Sequence, residues 1–257
     1  MDTGLKGKTA LVLGSTSGIG LAIGRGLDAE GANVVLCGRR GDRARDEAAR
    51  LRSGWGAEAD LSAPDAPSRL ITQVGERFGQ IDVLVLNGGG PPPGAATAID
   101  DEALGRALEQ NLVQQRRLVD LALPGMRSNG WGRVIAVGSS GVQQPIPQLA
   151  LSNIARAGLA AYLKSLTAVV ASDGVTVNMV LPGRIDTDRV ESLDASAAQR
   201  RGIAPEEARA RSEAAIPSGR YGTPEEFAAV AVFLASTSAS YVTGEQVRCD
   251  GGLVGSY

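Results

Sequence analysis

Serine and arginine stand four residues apart in the stretch ALSNIARAG (150–158), and the surrounding pattern is helical. Ser152 and Arg156 therefore share one helical face. An arginine guanidinium, with a pKa above about 12, donates hydrogen bonds and charge but does not readily pass on a proton. A serine hydroxyl is a good donor and a weak acid. Together with Ser139, thirteen residues earlier, this pair can polarise an electrophile without transferring a proton. The chain contains no histidine, which excludes a serine–histidine triad and a histidine-bearing zinc site. No metal is expected.

A second constellation lies near the N-terminus. The run TALV leads into GSTSGIG, residues 14–20, and a helical pattern follows. Gly14, Gly18 and Gly20 permit a tight turn and close backbone approach, and the helix directs its first N–H groups at a pyrophosphate. Ser15, Ser17 and Ile19 fill out this loop. A dinucleotide is therefore expected. The second strand ends in Gly38, Arg39 and Arg40. An acidic residue there would hold a free ribose 2′-OH. Two guanidinium groups favour a 2′-phosphate instead, so the cofactor is expected to be NADPH rather than NADH. Asp60, beside Leu61 after the third strand, offers an acceptor for the adenine amino group.

These groups need a scaffold. The chain has 257 residues, 43% of them hydrophobic, enough for one large domain with a full core. Short runs rich in Val, Ile and Leu stop at turn residues: 9–14, 32–38, 81–90, 132–140, 175–183 and 245–252. Helical patterns fill the gaps near 18–30, 41–53, 64–78, 101–128, 149–172 and 224–236. This alternation predicts a single α/β domain over 1–257, a doubly wound parallel sheet of Rossmann type. Residues 184–222 have few strand signals and much charge, and predict a mobile helical insertion covering the substrate. GGGPPPG (88–94), after the fourth strand, allows backbone to approach the cofactor. Gln143, Gln144, Pro145, Ile146 and Pro147 either line the substrate mouth or form an ordinary turn, and Tyr221 lies in a late loop within reach of a substrate.

The net charge of −2 gives no electrostatic case for nucleic acid or an acidic membrane. No apolar run reaches the roughly 20 residues that span a bilayer, and the N-terminal residues lack a secretory pattern. Cys37 and Cys249 make no disulfide framework, so the expected setting is the cytoplasm. Cys37 lies in an apolar run and reads as a core thiol.

From about residue 6 to 252 the chain resembles the short-chain dehydrogenase/reductase family. The glycine pattern fits. LNGGG (86–90) stands where the family usually has Asn-Asn-Ala-Gly, so Asn87, Gly88 and Gly89 match loosely and Leu86 departs. Asn111 in EQNLVQQRR matches the family's helix asparagine, and Ser139 its catalytic serine. PGRIDT (182–187) looks like its Pro-Gly-x-x-x-Thr segment, and GRYGTPEEFA and VTGEQVRCDGG like its closing segments. The resemblance implies that Pro182, Gly183, Ile185 and Thr187 approach the nicotinamide amide. It implies a structural role for Arg220, and a homotetramer or homodimer built on the helices near 101–128 and 149–172.

The departure falls on the chemistry. Where the family has Tyr-x-x-x-Lys, this chain has Ser152-Asn153-Ile154-Ala155-Arg156. Tyr162 lies ten residues along the same helix, roughly 15 Å away and on another face. Arg156 can take over the lysine's hydrogen bonds to the nicotinamide ribose, but the phenolic acid has no replacement. A positioned acid contributes about 10²–10⁴ in rate, some 3–5 kcal/mol. A plain ketone bears that loss. An iminium, or a hemiaminal that first loses water, does not, because hydride addition gives a neutral amine. Three readings stay open: an NADPH-dependent reductase of a small C=N or hemiaminal substrate, a ketone or 3-oxoacyl reductase using Ser152 or water as proton source, and a non-catalytic NADP(H)-binding protein. The Arg156 charge opposes a cationic substrate, and Asp186, Asp188 and Glu191 are the candidate acids to offset it.

Overall fold

Alternate residues of each inner strand meet different helices, which is why the strands read as unbroken apolar runs. The structure, a computed structural model, describes residues 2–256. Seven strands form one parallel sheet: β1 (Thr9–Val12), β2 (Asn33–Gly38), β3 (Gly54–Glu58), β4 (Val83–Leu86), β5 (Gly132–Val137), β6 (Val175–Pro182) and β7 (Gln246–Cys249), in the order 3-2-1-4-5-6-7. Leu11, Val35, Leu84, Val134 and Val177 face a layer containing α3 (Ala66–Phe78), α5 (Gln114–Ser128) and α6 (Ala150–Val170). Val12, Leu36, Val85, Ile135 and Val180 face α1 (Gly18–Ala29) and α9 (Pro224–Ala235). Cys37 is buried in the first layer, and desolvation pushes its thiol up to about 12, so it is inert as a nucleophile near neutrality.

Six strands lie within the six apolar runs, and the expected doubly wound parallel sheet is present. The seventh, β3, has the sequence GWGAE and no Val, Ile or Leu. It needs glycine because α2 (Gly41–Ala48) lies almost on its backbone. A Cβ at Gly54 would stand 2.2 Å from the Ala48 carbonyl oxygen, and one at Gly56 would stand 2.4 Å from the Ala44 backbone.

The helical pattern over 101–128 resolves into α4 (Asp101–Leu108), a π-helical turn at Glu109–Val113, and α5. The extra residue of that turn disturbs the ladder, and the buried Asn111 amide donates to the Ala107 carbonyl at 3.2 Å. Residues 184–222 carry α7 (Asp188–Arg201) and α8 (Pro205–Ala214) around a small core of Val190, Ile216 and Tyr221. The expectation that nothing is long and apolar enough to span a bilayer needs one correction. Ala150–Asp173 meets that test by length and composition, with a mean hydropathy of 1.3. In this fold its Leu159 and Leu163 pack into the core beside the sheet.

At the opposite end of the sheet from the cofactor loops, Arg133 is buried and pairs with no carboxylate among the described residues. It donates to the carbonyls of Gly132, Gly174 and Ser236 and to Ser240 Oγ, and it lies 4.3 Å from the Trp131 ring centroid. Truncation to alanine strands these acceptors. Arg133→Ala should lower unfolding stability by about 3 kcal/mol in urea denaturation; a loss below about 0.5 kcal/mol, the range of ordinary surface changes, would contradict this assignment.

Candidate active site

The sheet order reverses between β1 and β4, and the expected binding loops gather at the carboxyl ends of these strands. Gly14 and Gly18 have φ of +54° and +55°, in the left-handed region that glycine adopts without strain. A Cβ at Gly20 would stand 2.4 Å from the Gly14 carbonyl oxygen and 2.7 Å from Asn87 Nδ2. Asn87 closes this turn from the end of β4, its amide donating at 3.1 Å to both Leu13 O and Gly14 O. Ser17 is the N-cap of α1, yet its hydroxyl makes no capping bond, so the first N–H groups of the helix are left for a ligand. Ser15 behaves differently. Its hydroxyl donates to Val12 O at 2.6 Å and accepts from Cys37 N at 2.8 Å, so it ties β1 to β2 inside the protein. Ile19 is partly buried against the α1 and α9 core.

Arg39 and Arg40 are exposed at the end of β2, and neither makes an ion pair among the described residues. Asp60 accepts from Ser62 N at 3.0 Å. That bond and the Arg39 charge hold its carboxyl below the usual range. Leu61 packs beside it against the core. Gly183 is tightly enclosed, since a Cβ there would meet the Asp250 Cα at 2.7 Å. The same segment runs from Pro182, at the end of β6, through the buried Ile185 to Thr187, the N-cap of α7. Thr187 Cγ2 would stand 3.4 Å from a Cβ at Gly18, so this segment faces the glycine turn.

α6 brings Ser152 and Arg156 to the ends of β4 and β5. Both are buried, at 7% and 6% exposure. Arg156 Nη1 donates to Val137 O at 2.6 Å, and Nη2 to Gly88 O at 3.5 Å. No carboxylate pairs with it among the described residues. Burial, and then the charge of Arg189, lower its pKa to about 10, below the value above 12 expected from the sequence. It remains a cation at neutral pH. The Ser152 hydroxyl has no hydrogen-bond partner among the described residues. Ser139 Oγ accepts from Gly141 N at 3.0 Å, which leaves its own proton free to donate.

Several residues have other partners than expected. Tyr221 is buried in the 184–222 core, and its hydroxyl donates to Asp194 Oδ2 at 2.7 Å, so it is engaged away from a substrate. Asp194 also receives Arg184, at 3.1 Å. Gln143 and Gln144 are exposed, and Gln143 Nε2 donates to Gln246 at 3.3 Å. Tyr162 donates to Asp120 at 3.3 Å, and burial followed by the Asp120 charge raises its pKa, so it cannot stand in as the acid. Arg220 pairs with Glu226. Asp186 is bound by Arg209 at 2.9 Å and offers no free counter-charge.

The sequence reading missed three residues. Asn153 clamps the loop after Ser139, donating to Ile146 O at 2.9 Å and accepting from Ile146 N at 3.4 Å. Gln115 is buried behind Gly88, with its Oε1 unpaired among the described residues. Arg189 reaches Pro91 O at 3.0 Å. A glutamine pair in a buried helical stretch was the available signal for Gln115; nothing in the sequence marked the other two.

A family model described as enoyl-(acyl carrier protein) reductase matches residues 14–254. The chain is 35% identical over 257 residues to a putative ketoacyl reductase of Streptomyces coelicolor, covering 97% of this chain and 98% of that one. Among solved structures it is similar to YwfH, an NADPH-dependent reductase involved in bacilysin biosynthesis, with a TM-score of 0.93, 27% identity and coverage of 97% and 99%. It is also similar to a single-substitution variant of the actinorhodin polyketide ketoreductase with NADPH, with a TM-score of 0.92, 34% identity and coverage of 97% and 98%. The chain belongs to the short-chain dehydrogenase/reductase family of oxidoreductases.

The glycine turn is tight enough to predict its own failure. Gly20→Ala should weaken binding of a reduced nicotinamide dinucleotide at least tenfold in a fluorescence titration while the protein stays folded by circular dichroism; unchanged affinity would show that the turn does not hold the cofactor.

Proposed function

We propose that this protein is an NADPH-dependent reductase that adds hydride to a carbonyl carbon of a small molecule. The observation that carries the reading is the Ser152 hydroxyl, without a hydrogen-bond partner among the described residues, on a buried residue one helical turn from a guanidinium that pairs with no carboxylate among them. Support for NADPH comes from Gly38, the unpaired Arg39 and Arg40, and the NADPH of the related structures. Gly14, Ser17, Gly18, Gly20, Asn87, Gly88 and Gly89 would cradle the dinucleotide, and Pro182, Gly183, Ile185 and Thr187 would border its nicotinamide end.

Bound NADPH supplies the hydride. Ser139 and Ser152 donate hydrogen bonds to the carbonyl oxygen as the C=O electron pair moves onto it. Arg156 adds positive charge beside that oxygen and has donors left for the ribose hydroxyls. Neither serine is acidic enough to protonate the alkoxide in the hydride step, so the proton follows from solvent water. This order suits carbonyls made electron-poor by a neighbouring group. A cationic iminium is the weaker candidate, because Arg156 and Arg189 repel it and Asp186 is held by Arg209. Asn111 acts on the helix distortion beside the site. The helices of 184–222 cover the substrate. Exposed Leu121 on α5, and Ile154 and Val169 on α6, favour the two-fold pairing expected for a dimer or tetramer.

A panel of activated ketones and cyclic imines, followed by NADPH oxidation, tests the reading. Ketones should be turned over faster, and Ser152→Ala should lower kcat for them by about 10²–10³-fold with unchanged NADPH affinity, the scale of one lost oxyanion donor. Faster imine turnover would overturn the choice of electrophile, and an NADPH-binding protein inert to every electrophile would overturn the enzyme.

A further inference from the structure

Two guanidinium groups close on the backbone that runs from the cofactor loop to the head of α6. Arg156 reaches it from within, at Gly88 O. Arg189, the second residue of α7, reaches it from the 184–222 segment at Pro91 O, and its Nη2 would lie 3.2 Å from a Cβ at Gly90. Neither pairs with a carboxylate among the described residues. Asp188 and Glu191, the acids flanking Arg189, make no ion pair there either, and Asp186 belongs to Arg209. The amino end of α7 adds its own partial positive charge.

The path of the chain shows which ligand this charge serves. Beyond Pro91, Gly94 pairs with the head of α6: its N–H donates to Gln148 O at 2.8 Å, and its carbonyl accepts from Ala150 N at 3.2 Å. Ala150 lies two residues before Ser152. Arg189 therefore contacts the near end of the segment that pairs, three residues beyond Pro91, with the head of α6. The pyrophosphate cradle is at the glycine turn, and there Thr187 is the α7-side neighbour. Two cations that make no ion pair among the described residues, one exposed and one buried, make a setting that an anion can enter with charge-assisted, bidentate hydrogen bonds.

We infer that the substrate carries a carboxylate, and that Arg189 is the residue that holds it. This rests on the reductase reading above and adds its substrate class: an oxo acid. The carboxylate takes no part in the reaction. It fixes the carbonyl beneath Ser139 and Ser152 and excludes neutral ketones of the same shape.

The test uses matched pairs, 2-oxo and 3-oxo acids against their methyl esters, with the wild-type protein, Arg189→Gln and Arg189→Lys. Wild type should prefer acids at least tenfold in kcat/KM, through KM. Arg189→Gln should erase that preference, Arg189→Lys should restore part of it, and NADPH affinity should change less than twofold in either variant. Equal use of acids and esters by wild type would overturn the inference while leaving the reductase standing. So would a weakened NADPH affinity in Arg189→Gln with the acid preference intact, because the guanidinium would then serve a cofactor phosphate. If no pair is turned over, calorimetry of the same acids against the NADP⁺ complex decides. Acid binding lost in Arg189→Gln would keep the carboxylate site and sink the reductase reading, and no acid binding would sink the site.

Discussion

A buried cation held only by backbone carbonyls organises this active site. Arg156, on α6, takes hold of the ends of two strands, at Val137 O and Gly88 O. Burying a charge costs several kcal/mol unless hydrogen bonds offset it. The two carbonyls supply part of that offset and also fix α6 against β4 and β5. The depth and direction of Ser152, one turn earlier, follow from this. So does the positive character of the site, since no carboxylate among the described residues pairs with the charge.

In the proposed reduction, that arrangement would divide the labour differently from a site with a phenolic acid. Hydrogen bonding and charge remain available to stabilise a developing oxyanion. On the proposed function, proton delivery would be separated from hydride transfer and left to solvent. The consequence is selectivity, because an electrophile must either make a weakly basic oxyanion or gain enough binding energy elsewhere to tolerate a basic one. A second cation on α7 offers such binding energy, on a segment built around its own small core and an Asp194 shared by Arg184 and Tyr221.

Much of this was legible in the sequence, and the reasons differ by element. Strands buried on both faces announce themselves as runs of Val, Ile and Leu, so six could be placed. β3 could not, because the approach of α2 demands glycine where a pattern would need side chains. The glycine turn, Ser139, Ser152, Arg156 and Thr187 were found through spacing and resemblance, and the structure gathers them at the carboxyl ends of the strands. Tyr221 and Ser15 show the limit of that method. Residue type and position suggested ligand contacts, but their polar groups bond to Asp194 and to β1 and β2. Arg189 was invisible for the opposite reason: it acts on a loop distant in the chain, at Pro91, through a contact that exists only once the fold brings the two together.

The separation of hydride from proton transfer is the central claim, and isotope effects on one step test it most directly. With NADPH deuterated at the transferred position, and a turned-over ketone in H₂O and in D₂O, the single-turnover rate should show a normal primary isotope effect and no appreciable solvent effect. A large solvent isotope effect on that same rate would mean that an acid delivers its proton as the hydride moves, and the account of Ser152 and Arg156 given above would be wrong.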